Sequence, residues 1–389
     1  MIGSELQAAV TIVGGGIVGA CAAFYLARRG TSAVLLERGG VGAQASGVNF
    51  GGLRTNGRAE AELPLSLRAR SQWQNIEALI GNRCEVAVTG HLELCVRPEQ
   101  MNTVEIWAAM AKRHGVGPIL LSGREIAARF PWIGVKALGG CFVAEDGAAN
   151  PRLAAPRFAR AARALGATLI EHDPVRQLEH DGNTFRVETE NGLKVRSPVL
   201  VLCAGAWSAK LASQIGDDFP LSVTTPQMIV SEPFRHTMSC TVDCEVDGRF
   251  FYSRQIARGN LLFGRGHGRC DFENGRAQFV PENAFGAARA AIDILPCLKG
   301  RTMIRCWSGI EGRSPDSLPF LGFSRKVPRL IHAFGFSGHG FQLGPGTGSV
   351  IADLVIDGHT ATAIQAFDPY RFEKIDAGAN ERRRKERKA

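Results

Sequence analysis

The stretch AAVTIVGGGIVG, residues 8–19, decides the fold. Its first half is a short, apolar, β-branched run, the pattern of a strand buried on both faces of a parallel sheet. Its second half matches G-x-G-x-x-G. Ile17 to Arg29 then reads as a helix, with Ala20, Ala22 and Ala23 small enough to pack closely on a sheet and Gly30 placed to stop it. Ser32 to Glu37 forms a second apolar strand that ends on an acid. Gly14 permits the tight turn, Gly16 leaves room for a pyrophosphate against the backbone, and Gly19 lets helix and strand approach. Free N–H groups and the dipole at the helix N-terminus favour phosphate. Glu37 can accept both hydroxyls of an adenosine ribose and would repel a 2′-phosphate, which argues against NADP. The unit therefore predicts a dinucleotide site without separating NAD from FAD.

The next segment favours the longer cofactor. Residues 39–57 hold seven glycines, in GGVGAQASGVNFGGLRTNG. Such a loop lets backbone wrap an extended ligand, with Ser46 able to bond phosphate or ribityl oxygens; a surface lid is the alternative. Pro64 then opens a helix whose Leu65, Ala69, Trp73, Ile76 and Ile80 step at helical intervals, and Gly81 ends it.

Composition narrows the class. A chain of 389 residues, 45% hydrophobic and 21% charged, suggests about two globular domains. No apolar run is long enough for a membrane-spanning helix, and Met1 to Ala8 lacks the basic-then-apolar order of a secretory signal. The ten cysteines are scattered, with Cys21 and Cys203 in apolar runs, which predicts reduced thiols and a cytoplasmic protein. Of the net charge of +9, Asn380 to Ala389 supply +4, where six Lys/Arg face two acids, and the rest is spread over the body; a solvated tail is expected, with no nucleic-acid partner. His236, Cys240 and Cys244 recur every four residues, yet Thr237, Thr241, Val242 and Val246 favour a strand. There, positions four apart lie too far from each other to grip one ion, so no metal site is expected.

Further along, residues 84–140 read as a separate layer with a helix near Asn102 to His114. Pro151 to Leu165 is helical, and Thr168 to Glu171 and Phe185 to Glu190 are strands with the turn HDGN between them. Val199 to Ala204 is a buried strand running into GAWS (205–208). Residues 220–269 give short strands with glycine turns. Leu330 to Phe334 is the last strand, followed by SGHGFQLGPGTG (337–348) and a helix from near Gly346 through Val355. Nucleotide-type and layer-type segments alternate, so the domains are interleaved.

Four segments in order, IVGGGIVG (12–19) with Glu37, LCAGAWS (202–208), WSGIEGRSPDSLPFLG (307–322) and FGFSGHGFQLGPGTG (334–348), resemble the D-amino-acid oxidase-like flavoproteins. That family includes glycine oxidase, sarcosine oxidase and D-amino-acid dehydrogenases. Within it, NFGGLR (49–54) and GIEGR (309–313) look most like the flavin subunits of opine oxidase and hydroxyproline dehydrogenase. The resemblance implies an α/β fold: an FAD-binding doubly wound parallel sheet interleaved with a second α+β substrate domain on a mixed, largely antiparallel sheet. Residues 1–82, 146–215 and 326–375 would form the first domain, 83–145 and 216–325 the second, and 376–389 a basic tail. It implies non-covalent FAD, since no His follows the glycine-rich loop and Cys306 is out of register with the attaching Cys of sarcosine oxidases.

The cofactor contacts so implied are Gly14, Gly15, Gly16, Ile17, Val18 and Gly19 at the pyrophosphate, and Glu37 and Arg38 at the ribose. Ser46, Gly47, Gly52 and Leu53 would meet the ribityl chain and ring, Val175 the adenine, with Gly205 and Trp207 beside them. Gly338, His339, Gly340, Phe341 and Gln342 would face the pyrimidine end, where a helix N-terminus favours the negative charge of a reduced flavin. His339 is the candidate catalytic group, with a structural histidine as the alternative.

Two departures bear on the substrate. Glycine oxidase-like members place a carboxylate-binding Arg where this chain has Glu311, and monomeric sarcosine oxidases a Lys where it has Gln342. Either Arg54 or Arg254 binds a carboxylate, or the substrate presents a cation to Glu311; pairing of Glu311 with Arg313 or Arg305 is the alternative. Tyr252 lines the site or packs in the core. The implied reaction is oxidation of the C–N bond of an amino acid, imino acid or N-substituted secondary amine by hydride transfer to flavin N5, giving an imine that hydrolyses. The alternatives are a flavin subunit that hands electrons to a partner in a hetero-oligomeric dehydrogenase, an FAD monooxygenase, or an NAD enzyme sharing only the first motif.

Overall fold

The computed structural model describes residues 5–246 and 248–373; the basic tail lies outside the described residues. The apolar runs form a six-stranded sheet in the order Phe320–Phe323, Leu330–Phe334, Val199–Leu202, Val10–Val13, Ala33–Leu36, Thr168–Ile170. All pairs are parallel except Phe320–Phe323 on Leu330–Phe334, an antiparallel edge. Val10–Val13 and Ala33–Leu36 are buried at every position, as unbroken apolar strands must be when both faces are covered. One face packs on the helices Ile17–Arg28, Pro151–Ala164 and Gly340–Asp357, through Ala20, Ala23, Phe158 and Ile351. The other packs on a small sheet ordered Glu5–Gln7, Lys194–Ser197, Phe185–Thr189, Val175–His180, through Leu178, Phe185 and Val195.

A second, eight-stranded sheet runs Met303–Ser308, Pro226–Pro233, Asn260–His267, Arg249–Gln255, Thr241–Val246, His91–Cys95, Gly139–Val143, Pro118–Ser122. It is antiparallel except where Thr241–Val246 meets His91–Cys95. Its core of Phe142, Ile229, Phe251 and Phe263 is capped by the helix Pro281–Ile294. Both sheets draw on distant stretches of chain, so the interleaving read from the sequence holds. Phe320–Phe323, within the stretch 216–325, joins the six-stranded sheet.

Local readings differ from the structure in four places. The helix expected from Pro64 to Ile80 is two, Leu63–Gln74 and Ile76–Ile80. They part at Asn75, whose Nδ2 donates to the Ser71 carbonyl at 2.8 Å and so competes with the helical ladder. The last helix starts at Gly340, six residues before the expected Gly346, and carries Pro345 inside it. Three of its glycines, Gly344, Gly346 and Gly348, face Ile17, Ala69 and Cys21, so close packing outweighs poor helix propensity. The helix Pro281–Ile294 and the strand Val175–His180 are not visible in the sequence pattern, the latter because four of its six side chains are polar and only Leu178 is buried.

Cys244 lies on the strand Thr241–Val246, with Cys240 buried just before it and His236 exposed. Among the described residues, no three His, Cys, Asp or Glu side chains are placed to hold a metal ion, and no helix is long and apolar enough to cross a membrane.

Candidate functional site

The site is built outward from the end of Val10–Val13. Gly14 turns the chain at φ +111, and a Cβ there would lie 2.5 Å from the Cys203 carbonyl oxygen. A Cβ on Gly19 would fall on the Gly14 carbonyl oxygen, so the helix Ile17–Arg28 can rise from the strand only with glycine at this crossing. Gly16 is the N-cap and offers no side chain; the Ile17 N–H donates instead to Ser46 Oγ at 2.8 Å. The Glu37 carboxylate accepts the N–H groups of Gly15 at 2.7 Å and Gly39 at 2.8 Å. Burial raises its pKa above the usual range, and the two N–H groups oppose that rise.

These groups open on a cavity of 720 Å³, in the upper part of the size range of ligand pockets. Gly14, Gly16, Ile17, Val18 and Ser46 line it beside the helix N-terminus; Glu37, Arg38, Val175, Gly205 and Trp207 line it beside the second strand. Gly338, Gly340, Phe341 and Glu311 line the part reached by the last helix. Asn49 and Phe336, within the quoted motifs, also line the cavity, as do Arg176, Glu190 and Lys210, whose sequence context gives no sign of it.

A roof over part of the cavity is equally silent in the sequence. The hairpin of Arg269–Asp271 and Arg276–Gln278 brings Glu273 and Asn274 to the cavity. The Arg38 guanidinium lies 4.2 Å from the Trp207 ring centre, and Trp207 stacks on Phe272 at 5.3 Å and 10°. Trp207 Nε1–H donates to the Phe272 carbonyl at 3.3 Å, and Lys210 pairs with Glu273 at 2.8 Å. Arg38 and Trp207 thus clamp the hairpin as well as line the cavity. The hairpin carries exposed polar residues, so no hydrophobic period marks it.

Several residues singled out by sequence do not line the cavity. Gly15 and Gly19 serve the turn, and Gly47 packs against Gly42. Gly52 and Leu53 pair with Ala148 and Gly147. Gln342 is buried, its Nε2 donating to the Ser66 carbonyl at 3.0 Å and its Oε1 accepting the Ser66 hydroxyl at 3.2 Å. Tyr252 packs edge-on to Phe50 at 5.1 Å, and Arg254, 8% exposed, lies 5.4 Å from the same ring. Burial lowers the Arg254 guanidinium to about 10.

Arg54 belongs to a buried charge network. Its Nε lies 3.8 Å from Asp243 Oδ2, which His91 Nε2 approaches at 3.2 Å, and Asp146 accepts the N–H groups of Thr55 and Asn56 at 2.8 Å each. Burial and the Asp243 charge push the neighbouring Glu93 up to about 7, against Arg54 and His91. His339 places its ring in a different cleft, with Arg58, Glu62 and Trp107. Its Nδ1–H donates to Glu62 Oε1 at 2.8 Å. Burial and the Arg58 charge push the imidazole down to about 4. Burial pushes Glu62 up, but the His339 bond and the Arg58 charge outweigh it, so an anionic Glu62 faces a neutral imidazole.

At the last-helix end, Trp307 Nε1–H donates to the Val48 carbonyl at 2.7 Å and fastens the glycine-rich loop to the eight-stranded sheet. The following strand, Glu311–Arg313, pairs with Ser222–Thr224 and sets Glu311 into the cavity. The donor set suits an extended dinucleotide. It combines an open helix N-terminus for phosphate, an acid at the end of the second strand for ribose hydroxyls, and a glycine-bounded space for a ring.

The family model described as FAD dependent oxidoreductase matches residues 9–354. Glycine oxidase of Bacillus licheniformis is 25% identical over 380 residues, spanning 94% of this chain and 97% of that protein. An opine oxidase subunit of Rhizobium meliloti is 26% identical over 389 residues, spanning 95% and 98%. Among solved structures, L-proline dehydrogenase from P. horikoshii superposes with a TM-score of 0.88 at 25% identity, covering 95% of this chain and 99% of that one.

Proposed function

This chain belongs to the FAD-dependent oxidoreductase family, and from that premise we propose that it oxidises the C–N bond of an amino acid, imino acid or N-substituted amine. FAD, when bound, supplies the acceptor for a hydride from the carbon that bears nitrogen. The observation that carries the reading is a single cavity joining the Gly14–Val18 turn and Glu37 to Gly338, Gly340 and Glu311. End-to-end similarity to glycine oxidase supports the amine-oxidising chemistry.

The work of the protein residues is to bind, orient and exclude water. The helix N-terminus at Gly16 to Val18, completed by Ser46, would hold the pyrophosphate. Glu37 would accept ribose hydroxyls, and Val175 would meet the adenine. Gly338 to Phe341 would face the ring. Residues 83–145 and 216–325 would supply the substrate side, with Phe320–Phe323 joining the nucleotide sheet. Substrate would enter near Glu311, with Tyr252, Arg254 and Phe50 as flanking wall. Arg54, paired with Asp243, would act on that wall rather than on a carboxylate. The imine product hydrolyses to a carbonyl compound and an amine.

The test is anaerobic mixing of the FAD-loaded protein with D-, L- and N-alkyl amino acids, opines and simple amines. At least one class should bleach the flavin without NADPH. Failure of every class would overturn the reading.

The match to an opine oxidase subunit favours a second form of the same chemistry, in which this chain is one component of an assembly and passes electrons to a partner. Gel filtration of the native complex with metal analysis tests it: a larger assembly is expected, and a lone chain that reduces oxygen stoichiometrically overturns it.

A further inference from the structure

Glu311 lines the ligand cavity as a largely buried carboxylate, and among the described residues no Lys, Arg or His side chain lies within ion-pair distance of it. Its hydrogen-bond donor is the backbone N–H of Gly338. Arg313, Thr224, His267, Tyr252 and Arg54 are committed elsewhere or neutral, and Arg254 lies outside the cavity lining. Arg313, on its own strand, is exposed and donates to Ser317 Oγ at 3.3 Å. Thr224, directly across on the paired strand, is bonded to His267 Nδ1 at 2.8 Å. Burial and the Arg313 charge lower that imidazole below its usual range, so it stays neutral near pH 7. Tyr252, from the eight-stranded sheet, is pushed up by burial and by the Glu311 charge, and stays a neutral phenol. Arg54 is held by Asp243, and Arg254 stands over Phe50.

A carboxylate taken out of water needs a counter-charge or several donors, and one N–H is a small part of that. The cavity that Glu311 lines gives a cationic partner a route to it. Resting on the C–N oxidation reading, we propose that Glu311 recognises the protonated nitrogen of the substrate and takes its proton. An ammonium nitrogen has no lone pair to form the imine, so a proton must leave before the adjacent carbon can be oxidised. The step is R₂NH₂⁺ plus the Glu311 carboxylate giving R₂NH plus the Glu311 carboxylic acid. One N–H bond breaks, one O–H bond forms, and no electrons change owner. Burial of Glu311, which raises its carboxyl, makes it the stronger proton acceptor. The substrate class follows: amines and imino acids that enter as cations, with any carboxylate of their own turned away from Glu311.

The experiment uses the FAD-loaded full chain and its Glu311→Gln and Glu311→Asp variants, with flavin content measured for each. Tetramethylammonium, which has no N–H and cannot be oxidised, is the cation probe, and acetate the anion control; binding is followed by calorimetry. Tetramethylammonium should bind the parent protein at least tenfold more tightly than E311Q, with E311D between, and acetate should show the reverse order. In the parent protein, tetramethylammonium affinity should fall as the pH drops through the titration of the carboxyl, a readout that needs no variant. With a substrate amine, the acidic limb of flavin bleaching should move in E311Q toward the pKa of the free amine. Equal tetramethylammonium affinity in parent and E311Q, or a pH-independent affinity in the parent, would overturn the proposal. Absence of bleaching by every amine in the parent protein would instead overturn the C–N oxidation reading, and leaves the cation-binding measurement to stand by itself.

Discussion

Ser46 Oγ accepts the Ile17 N–H at 2.8 Å, so the glycine-rich loop closes directly onto the first turn of the opening helix. Gly16, the N-cap, has no side chain to do this, and Ser46 supplies from 29 residues away what a Ser or Asp at the cap supplies locally. Ser46→Ala should therefore weaken FAD binding by about 1 kcal/mol, roughly fivefold, through loss of the hydroxyl that fixes the glycine-rich loop to the helix N-terminus at the phosphate position. Titration of the apoprotein with FAD, followed by quenching of flavin fluorescence, measures this. An unchanged affinity would remove Ser46 from the site.

Gly19→Ala places a methyl on the Gly14 carbonyl, and both atoms are backbone of a buried strand–turn–helix junction. Nothing flexible is there to give way. A loss of about 1–3 kcal/mol in stability is expected, with FAD loss alongside. Gly30→Ala is the control, since no atom lies near its Cβ and only its φ of +76 opposes the change, at about 1 kcal/mol. Chemical denaturation of both variants compares the two costs.

The hairpin clamp predicts slow release of the dinucleotide. Trp207→Ala removes the stack on Phe272 and the cation–π contact with Arg38, each worth roughly 0.5–1.5 kcal/mol. FAD should leave about tenfold faster, and proteases should cut earlier within residues 269–278. Stopped-flow release and limited proteolysis read the two effects separately.

Asp217 ties Tyr370 to the six-stranded sheet. It is 0% exposed, accepts the Tyr370 hydroxyl at 2.7 Å and the Ser324 hydroxyl at 2.7 Å, and lies 2.9 Å from His332 Nε2. Burial pushes its carboxyl up, but these hydrogen bonds outweigh it and hold it at about 2. The folded pKa is thus below the unfolded value of about 3.9. The stabilisation, on the order of 2 kcal/mol, is complete above that value and lost as pH falls through about 2. The stability gap between the parent protein and Asp217→Asn should be constant above about pH 5 and narrow from about pH 4 downward. Thermal unfolding across that range checks it.

His339, neutral because its imidazole titrates at about 4, holds Glu62 rather than carrying a proton in the working range. His339→Ala should lower stability by about 1–3 kcal/mol by stripping a buried carboxylate of its donor. It should leave the pH profile of flavin bleaching unmoved between about pH 5 and 8. A lost basic or acidic limb in that window would return His339 to the chemistry.

The opening unit was legible because its determinants are local. Strand, turn, helix and terminal acid lie within residues 8–37, where Glu37 accepts the Gly15 N–H and Gly19 faces the Gly14 carbonyl, although Gly14 itself is also pressed by the distant Cys203 carbonyl. The distant motifs were legible as a set, since their order matches one family, and the structure brings 202–208 and 334–341 to the same cavity. The substrate side was read less well. Gln342 looks like a cavity residue by position but spends its amide on Ser66, and Arg54 looks like an anion anchor but sits against Asp243.

The amino-acid order alone determined the glycine-rich turn after the first strand, the interleaving of two sheets and an acid, Glu311, at a position where the family resemblance implies an arginine. Only the tertiary structure decided that Glu311 is largely buried without a cationic partner among the described residues, that Arg38 and Trp207 clamp a hairpin distant in the chain, and that His339 turns to Glu62. The physical reason is range. Backbone conformation and apolar periodicity are set by residues a few positions apart, whereas the state of a charge is set by whatever the fold places within a few ångströms of it. For Glu311 those neighbours include Gly338, Thr224 across the strand pair and Tyr252, none of them near it in the chain.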